Sequence, residues 1–335
     1  MPINTDTKLA ENLFEKDKLK QEPTRNGYGA GLVRAGEEDK NVVALCADLT
    51  ESTRSQMFKD RFPERFIEMG VAEQNMASVA AGMAAMGKTP FISSYAMFSP
   101  GRNWEQIRTT ICYNERNVKI CGAHAGVSVG PDGATHQATE DIAITRVIPN
   151  MTVLAPCDAI EAEKATIAAA KIKGPVYIRF AREKTPVFTT KETSFEIGKA
   201  ECFHKLKNEN QGDAAIIACG PLVYNALLAA KELEDEEGLS ICVLNNHTIK
   251  PIDEERLIHV AKKTGAVVTV EEHQINGGMG SAVAEVLARN YPVPIEFIGV
   301  QNRFGESGSP SELLEKFGMG VSHIKEAVRK VMKRK

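Results

Sequence analysis

The sequence contains little of what is typical of a secreted, membrane-bound or nucleic-acid-binding protein. It has 1 tryptophan and 6% aromatic residues, and no two of its 7 cysteines form a C-x-x-C pair. No run of about 18 apolar residues occurs, and the N-terminus MPINTDTKLAENLFEKDK has no apolar signal core. A formal net charge of −3 gives no positive field to hold a nucleic-acid backbone. We therefore expect a cytoplasmic protein without a membrane or nucleic-acid partner.

What the sequence does contain is an ordinary globular composition, with 43% hydrophobic and 25% charged residues. Its 335 residues fit two domains at roughly 150 residues per domain. The cysteines stand singly, mostly inside or beside apolar runs such as VVALCAD (42–48) and AAIIACG (214–220). We interpret them as buried structural thiols.

Short apolar runs alternate with helical stretches through most of the chain. The runs that predict strands are VVALCA (42–47), TPFISS (89–94), NVKICG (117–122), MTVLA (151–155), PVYIRF (175–180), AAIIACG (214–220), LSICVLN (239–245), AVVTVE (266–271) and IEFIGV (295–300). Because these strands show little polar alternation and helices separate them, they indicate parallel sheets covered on both faces. The predicted fold class is α/β, with two doubly wound parallel-sheet domains.

A polar stretch near the middle of the chain interrupts this pattern. It is rich in turn-forming residues and leaves room for one short strand at most. The predicted division is an N-terminal arm (1–24), a first domain (25–188), a linker (189–212) and a second domain (213–335).

Two glycine-rich segments are candidates for ligand binding. HAGVSVGPDGATHQATED (124–141) follows a predicted strand, so it lies at the carboxyl edge of the sheet, where open α/β sheets bind ligands. It carries His124, Asp132 and His136, whose spacing does not match a zinc site. INGGMGSAV (275–283) opens a helix but matches neither G-x-G-x-x-G nor a P-loop, so close packing or a subunit contact is at least as good an interpretation.

Glu73 begins a predicted helix (72–87) that is mostly small and apolar, and we expect this helix to be buried all round. A carboxylate in its first turn has two interpretations. It is either a charge that complements the helix dipole, or a desolvated carboxyl that shares a proton with a ligand base. Spacing alone leaves both open.

Longer motifs carry a resemblance to a known family. From Phe66 to Arg182 the chain contains GVAEQNM, SSYAMF, HAGVSVGPDGATHQ, IPNMTVLAPCD and PVYIRFAR, in order. This stretch resembles the pyrimidine-binding domain of transketolases. ACGPLVYNAL, VLNNHTIKPID and VEEHQINGGMGSAVAE resemble the C-terminal domain of the same family. The resemblance implies that the two predicted domains are these two, in that order.

The resemblance also implies a cofactor, thiamine diphosphate, and the residues that contact it. Glu73 would lie against the pyrimidine N1′, where proton sharing activates the cofactor, which favours the functional interpretation of this carboxylate. Tyr95 and Phe98 would stack around the aminopyrimidine. Gly101 stands where many transketolases have a tyrosine, so the pocket wall differs there.

On the substrate side the resemblance implies contacts to sugar phosphates. His124, Asp132 and His136 match residues that contact substrate hydroxyls, and the two histidines are the implied catalytic partners of Glu73. The implied phosphate-binding residues are Arg25, Ser52, His136 and Arg182. A guanidinium suits a phosphate because it donates two parallel hydrogen bonds.

A Gly-Asp-Gly motif followed by Asn, which holds the diphosphate through Mg²⁺ in these enzymes, does not occur in the sequence. The chain therefore resembles the C-terminal subunit of a split transketolase. The implied partner is a separate N-terminal subunit that carries the Mg²⁺ ligands, in an α2β2 assembly with homodimer contacts. The implied reaction is reversible transfer of a two-carbon ketol unit between ketose and aldose phosphates, as in the pentose phosphate pathway.

Two alternatives remain at this point. Within the cofactor class, the chain could be the β subunit of a 2-oxo-acid dehydrogenase or a 1-deoxyxylulose-5-phosphate-synthase-like enzyme. In a different class, it could be a non-catalytic regulatory subunit that binds a sugar phosphate.

Overall fold

The computed structural model of the chain describes residues 3–208 and 210–335, except for the side chain of residue 16. In chain order its first half contains β1 (Gln21–Glu22), α1 (Thr24–Glu38), β2 (Val42–Cys46), α2 (Thr50–Thr53), α3 (Gln56–Arg61), β3 (Phe66–Glu68), α4 (Glu73–Ala85), β4 (Thr89–Tyr95), α5 (Trp104–Gln106), β5 (Lys119–Ala123), α6 (Asp141–Arg146), β6 (Thr152–Leu154), α7 (Ala159–Lys171), β7 (Val176–Arg179) and β8 (Thr185–Pro186). The helix α5 continues into a π-helical turn, Ile107–Cys112.

The second half repeats the alternation of strands and helices. It contains β9 (Glu201–His204), β10 (Ala214–Ala218), α8 (Leu222–Glu237), β11 (Ile241–Asn245), β12 (Thr248–Lys250), α9 (Glu254–Thr264), β13 (Val267–Gln274), α10 (Met279–Asn290), β14 (Ile295–Val300), α11 (Pro310–Lys316) and α12 (Val321–Met332). No helix within the described ranges is both long enough and apolar enough to span a membrane.

A seven-stranded sheet forms the first domain, in the order β12-β6-β7-β5-β4-β2-β3. Its strands are parallel except β12. Every residue of β2 and of β5 is buried, because helices cover both faces. Val42 and Ala44 pack with α1 and α7, whereas Val43 and Leu45 pack with α4 on the opposite face. The predicted α/β class is confirmed.

A five-stranded sheet forms the second domain, in the order β14-β13-β10-β11-β9. Only β9 at one edge is antiparallel to its neighbour. Alternate residues of β10 again face opposite layers: Ala214 and Ile216 pack with α8 and α12, and Ala215 and Ile217 with α9 and α10.

Two crossings join the halves of the chain. Strand β12 leaves the second half and pairs with β6 at the edge of the first sheet. In the other direction, the N-terminal arm packs on the second domain, where Ile3 forms a β-bridge with His204 and Leu13 and Leu19 enter the core. One apolar cluster also runs through both domains. The geometry of the first sheet is therefore built partly from residues of the second half.

The helix α4 differs from the expectation that it is buried all round. Met76, Ala77 and Ala80 pack into the core, whereas Gln74, Asn75, Ser78, Gly82 and Ala85 form an exposed face. A Cβ added at Gly82 would meet no atom within 4 Å. In the isolated chain, α4 thus has one face without a partner.

Candidate active site

The sheet order brings four separate parts of the sequence to one place. Strands β7, β5, β4 and β2 are parallel neighbours, so their carboxyl ends meet at the same edge. Tyr95 ends β4, His124 directly follows β5, Arg182 lies shortly after β7, and Ser52 lies in α2 just beyond β2. This edge is therefore the candidate site.

Glu73 lies beside this edge as the first residue of α4, with its side chain 1% exposed. Its Oε2 accepts a hydrogen bond from Nη1 of Arg102 at 2.6 Å. Asn103 Nδ2 donates to the backbone carbonyl of Glu73 and fixes the start of the helix. Since the Arg102 side chain is 47% exposed, it has room to move away. A ligand that displaces Arg102 would find a desolvated carboxylate.

Aromatic rings form a wall next to this ion pair. The rings of Tyr95 and His124 are stacked with centroids 3.7 Å apart. The ring of Phe98 is stacked with that of Tyr95, with centroids 5.9 Å apart. His136 meets Phe98 edge-on at 5.4 Å. The guanidinium of Arg102 lies over the Phe98 ring at 4.8 Å. Flat apolar surfaces are therefore connected to the Glu73 carboxylate through Arg102, and such surfaces can stack a heteroaromatic ligand.

On the far side of Tyr95, Arg25 orients His124. Its Nη1 donates to the Ser52 carbonyl at 2.7 Å and lies 3.2 Å from His124 Nε2. Because arginine can only donate, Nε2 must accept, which assigns the ring proton to Nδ1. Within the described parts of the chain, His124 Nδ1 and Arg25 Nε are buried without a hydrogen-bond partner. Both are N–H donors that the described chain leaves unsatisfied.

His124 is held neutral and in a strained backbone conformation. Burial, followed by the nearby Arg25 and Arg182 charges, lowers the pKa of His124 to about 3. Its φ of +54° is in the left-handed region that side chains rarely adopt. A neutral imidazole at this place can donate a hydrogen bond but carries no positive charge.

The glycine-rich loop follows β5, as the sequence predicted, and includes a 3₁₀ turn at Val127–Asp132. Arg182 Nη1 donates to the Val129 carbonyl at 3.1 Å, so this arginine holds the loop through its backbone. Thr135 Oγ1 lies 2.9 Å from Nδ1 of His136. Asp132 is exposed at the end of the turn.

The predicted residues are thus brought together to different degrees. Direct contacts join Arg25, Ser52, Tyr95, Phe98, His124 and His136. Glu73 is connected to this group through Arg102. The charge of Arg182 lowers the pKa of His124, and its side chain donates to the backbone of the glycine-rich loop. Asp132 lies in the same loop, at the end of its 3₁₀ turn.

Several residues of this site were not predicted from the sequence. Arg102 is one, because nothing in the sequence pairs it with a carboxylate 29 positions earlier. Arg54 is another, and its charge is one of those that act on His124. Glu272, from the second half of the chain, accepts a hydrogen bond from the backbone of the glycine-rich loop. These three residues are recognised only by their contacts with distant segments of the folded chain.

Gly101 is explained by its backbone surroundings. A Cβ there would lie 2.0 Å from the carbonyl oxygen of Met97. A larger residue would require the backbone after β4 to shift. The wall of the site is therefore formed without a side chain at this position.

The second glycine cluster serves close packing. The amides of Met279 and Gly280, at the start of α10, donate to the buried carboxylate of Glu271 at 2.6 and 2.8 Å. A Cβ at Gly278 would lie 2.2 Å from the same carboxylate. This helix terminus is occupied by an internal anion, which favours the packing interpretation of 275–283.

Other concave regions lie elsewhere. A cavity of about 260 Å³ in the second domain is lined by Asn4, Cys202, Cys242, Arg256 and Lys263 among others. None of the predicted site residues lines it. Across residues 3–208 and 210–335, no group of three His, Cys, Asp or Glu side chains is arranged to hold a metal ion.

Two family descriptions match the chain. "Transketolase, pyrimidine binding domain" matches residues 20–187, and "Transketolase, C-terminal domain" matches residues 204–324. These ranges correspond to the parts that carry most of the seven-stranded and the five-stranded sheet.

Individual relatives match over nearly the whole chain. A "Putative transketolase C-terminal section" of Methanocaldococcus jannaschii is 45% identical over 92% of this chain and 96% of its own length. The "6-deoxy-6-sulfo-D-fructose transketolase subunit SqwH" of Clostridium sp. is 41% identical over 95% of this chain and 97% of its own length. A solved structure described as "Split gene transketolase, inactive beta4 tetramer" is 46% identical, with a TM-score of 0.86 over 93% of this chain and 99% of that one. The chain therefore belongs to the thiamine-diphosphate-dependent transketolase family and is homologous to the C-terminal sections of its split members.

Proposed function

We propose that this chain is the C-terminal subunit of a split transketolase. Together with an N-terminal subunit it would transfer a two-carbon ketol unit reversibly from a ketose phosphate to an aldose phosphate. The observation that carries this proposal is the continuous arrangement from the buried Glu73 along Phe98 and Tyr95 to His124 and Arg25. The carboxylate and the aromatic rings suit the pyrimidine of a thiazolium–pyrimidine cofactor. His124 and Arg25, at the other end, suit a sugar phosphate.

The residues present fit thiamine diphosphate. Glu73 is a buried acceptor paired with the half-exposed Arg102, whose guanidinium lies over the ring of Phe98, and Phe98 is stacked with Tyr95. Glu73 would hold the pyrimidine N1′, and the two rings would hold the faces of the pyrimidine. When bound, the cofactor supplies the carbon nucleophile that accepts the two-carbon unit.

This chain's own residues would bind and orient the sugar. His124 Nδ1 and Arg25 Nε are buried donors without partners in the described chain, and His124 is stacked on Tyr95 and contacts Arg25. His136 and the exposed Asp132 would contact further hydroxyls. Arg25 and Arg182, with Ser52, would bind the terminal anion, because guanidinium groups match the geometry of phosphate oxygens.

A partner chain completes the proposal. The Mg²⁺ ligands and the contacts to the diphosphate would lie on the N-terminal subunit, in a cytoplasmic α2β2 assembly with homodimer contacts between copies of this chain. The split-gene relative forms an inactive β4 tetramer, which supports dependence on a second subunit.

The test is complementation. This chain is mixed with the N-terminal subunit from the same genome, thiamine diphosphate and Mg²⁺, and ketol transfer is measured against each subunit alone. We expect transfer only in the mixture. Robust transfer by this chain alone would refute the split arrangement.

The terminal anion of the substrate is tested in the same assay. One relative is a transketolase subunit for 6-deoxy-6-sulfo-D-fructose, and a sulfonate is an anion that the same arginines could bind. Fructose 6-phosphate and its 6-sulfo analogue are therefore compared as donors. We propose the phosphate ester, and a kcat/KM that is higher for the sulfonate would contradict that assignment.

A further inference from the structure

We infer that the C-terminal domain is part of the substrate site, because it holds the glycine-rich loop in position through Glu272. The inference rests on the proposed function for its catalytic consequence. Its structural part, a loop fixed by the other domain, can be tested in the isolated chain.

Glu272 lies on β13 of the second domain and is 3% exposed. Its Oε1 accepts a hydrogen bond from the backbone amide of Ser128 at 2.6 Å, inside the loop of the first domain. A Cβ at Gly126 would lie 2.3 Å from the same oxygen, and Gly126 has a φ of +87°. Only glycine allows the carboxylate to approach the loop this closely.

A buried arginine of the first domain fixes Glu272 from the other side. Arg179, on β7, donates from Nη2 to the Glu272 carbonyl at 2.7 Å and to the Ala138 carbonyl at 3.3 Å. Its Nε donates to Asp141 at 2.8 Å. Burial lowers the pKa of Arg179, but the carboxylates of Asp141 and Glu272 outweigh it and raise that pKa. The charges at this domain junction therefore stabilise one another.

The middle of the loop is held by the segment that leads into α11, residues 305–310. Gln137 Nε2 donates to the Glu306 carbonyl at 2.9 Å and to the Val127 carbonyl at 3.0 Å, so it joins this segment to the loop. A Cβ at Gly130 would be 3.2 Å from Pro310, and one at Gly133 would be 2.6 Å from Ser307 Oγ.

The far end of the loop is attached to β13 as well. The Gln274 amide donates to the Thr139 carbonyl at 2.8 Å, and Gln274 Nε2 contacts Thr139 Oγ1 at 3.2 Å. Contacts from the second domain thus occur near the start, in the middle and at the end of the segment that carries Asp132 and His136. A loop of this length would otherwise sample many conformations, and a displacement of about 1 Å at a substrate contact can cost about 100-fold in rate.

The structural test is hydrogen exchange on the full chain with Glu272→Ala and Glu272→Gln. We expect the Ser128 amide of Glu272→Ala to exchange about tenfold faster or more, with slower exchange restored in Glu272→Gln, whose amide oxygen still accepts. The matched control is Glu271→Ala. Glu271 is equally buried on the same strand, but its carboxylate binds amides of its own domain. That control should affect the start of α10 and leave Ser128 unchanged.

The functional test uses the same variants assembled with the N-terminal subunit. Glu272→Ala should raise the KM for sugar phosphates about tenfold or more and lower kcat/KM further, with the half-saturating concentration of thiamine diphosphate unchanged. Glu272→Gln should recover most of the loss.

The outcomes separate the two proposals. If the wild-type pair shows no ketol transfer, the proposed function fails, and the exchange experiment still decides whether Glu272 holds the loop. If Glu272→Ala and Glu272→Gln both leave Ser128 exchange at the wild-type rate, the inference is wrong. An equal loss of substrate and cofactor affinity would assign Glu272 a general structural role and would also overturn it. If Glu272→Ala does not fold, Glu272→Met, which keeps the side-chain bulk and removes the acceptor, decides by the same increase in Ser128 exchange.

Discussion

At the scale of single residues, the proposed chemistry depends most on Glu73. We expect Glu73→Gln to lower kcat of the assembled enzyme by about 100-fold or more, because an amide cannot exchange a proton with a pyrimidine nitrogen. The fold should be unchanged, since Gln has the same shape and Arg102 remains half-exposed. The measurement is steady-state ketol transfer at saturating cofactor.

The matched control for Glu73→Gln is Glu64→Gln, an exposed carboxylate on the 3₁₀ turn before β3. It should keep wild-type rates. Near-normal rates in Glu73→Gln would mean that this carboxylate serves only the ion pair with Arg102 and the start of α4.

His124 gives a prediction about pH. Its pKa is lowered to about 3 in the folded chain, first by burial and then by Arg25 and Arg182, against roughly 6.5 in an unfolded chain. The unfolded chain therefore binds the proton first as the pH falls. The contribution to stability is fully present above about pH 6.5 and is lost progressively between there and pH 3, by about 1.4 kcal/mol per pH unit.

The check is the free energy of unfolding in urea between pH 7 and pH 5 for the wild type and His124→Gln. The slope with pH should be shallower in the variant. Parallel curves would show that His124 becomes protonated equally easily in the folded and unfolded states.

At the scale of elements, the contact between α1 and α7 depends on glycines. A Cβ at Gly27 would lie 1.8 Å from the Ala159 carbonyl oxygen, and one at Gly31 would lie 2.7 Å from that of Glu163. Gly27→Ala should therefore lower the free energy of unfolding by about 1–3 kcal/mol or more, in spite of the better helix propensity of alanine.

Gly82→Ala is the matched control in urea denaturation. It is the same substitution in a helix, but its Cβ would meet no atom within 4 Å. It should be neutral or gain about 0.5–1 kcal/mol. Equal effects of the two substitutions would mean that the α1–α7 contact can relax to accept a methyl group.

Some elements of the fold could be predicted from the sequence and others could not. The fully buried strands were predictable because continuous apolar runs such as 42–46 and 214–218 have few other interpretations. The helix α1 was not, because its glycines remove the apolar periodicity that identifies a helix, and their role is visible only beside α7. The short β12 was missed because its pairing with β6 is decided by the packing of distant segments.

The residues of the candidate site also fall into those that could be predicted from the sequence and those that could not. His124, Asp132 and His136 stand in one recognisable motif, and Glu73 in another, so motifs were enough to find them. Arg102 and Glu272 belong to no motif, since each acts through a contact with a distant segment. Arg102 and Glu272 are therefore defined by their contacts in the fold and not by local sequence.

At the scale of the whole molecule, the chain has a surface that its own fold leaves unpartnered. The exposed face of α4 carries Gln74, Ser78 and Gly82 one turn apart, and exposed apolar side chains lie at both of its ends, Val71 (71% exposed) and Met86 (83% exposed). A helix face that the fold leaves exposed, with an exposed apolar side chain at each end, is open to contact with another chain. Because Glu73 begins the same helix, an assembly through this face would place the candidate site at a subunit boundary.

Gly82→Trp tests this assembly without disturbing the fold. The indole would enter open space in the isolated chain, so the circular dichroism spectrum of the variant should stay close to that of the wild type. It would, however, block a helix from approaching α4, and we expect the mass measured by light scattering to fall to a smaller oligomer or the monomer. Glu326→Trp, on the exposed face of α12, is the matched control and should keep the wild-type mass. An unchanged mass for Gly82→Trp would exclude this face as the contact between copies and would leave Val71 and Met86 to the N-terminal subunit, where the same variant should then weaken complementation.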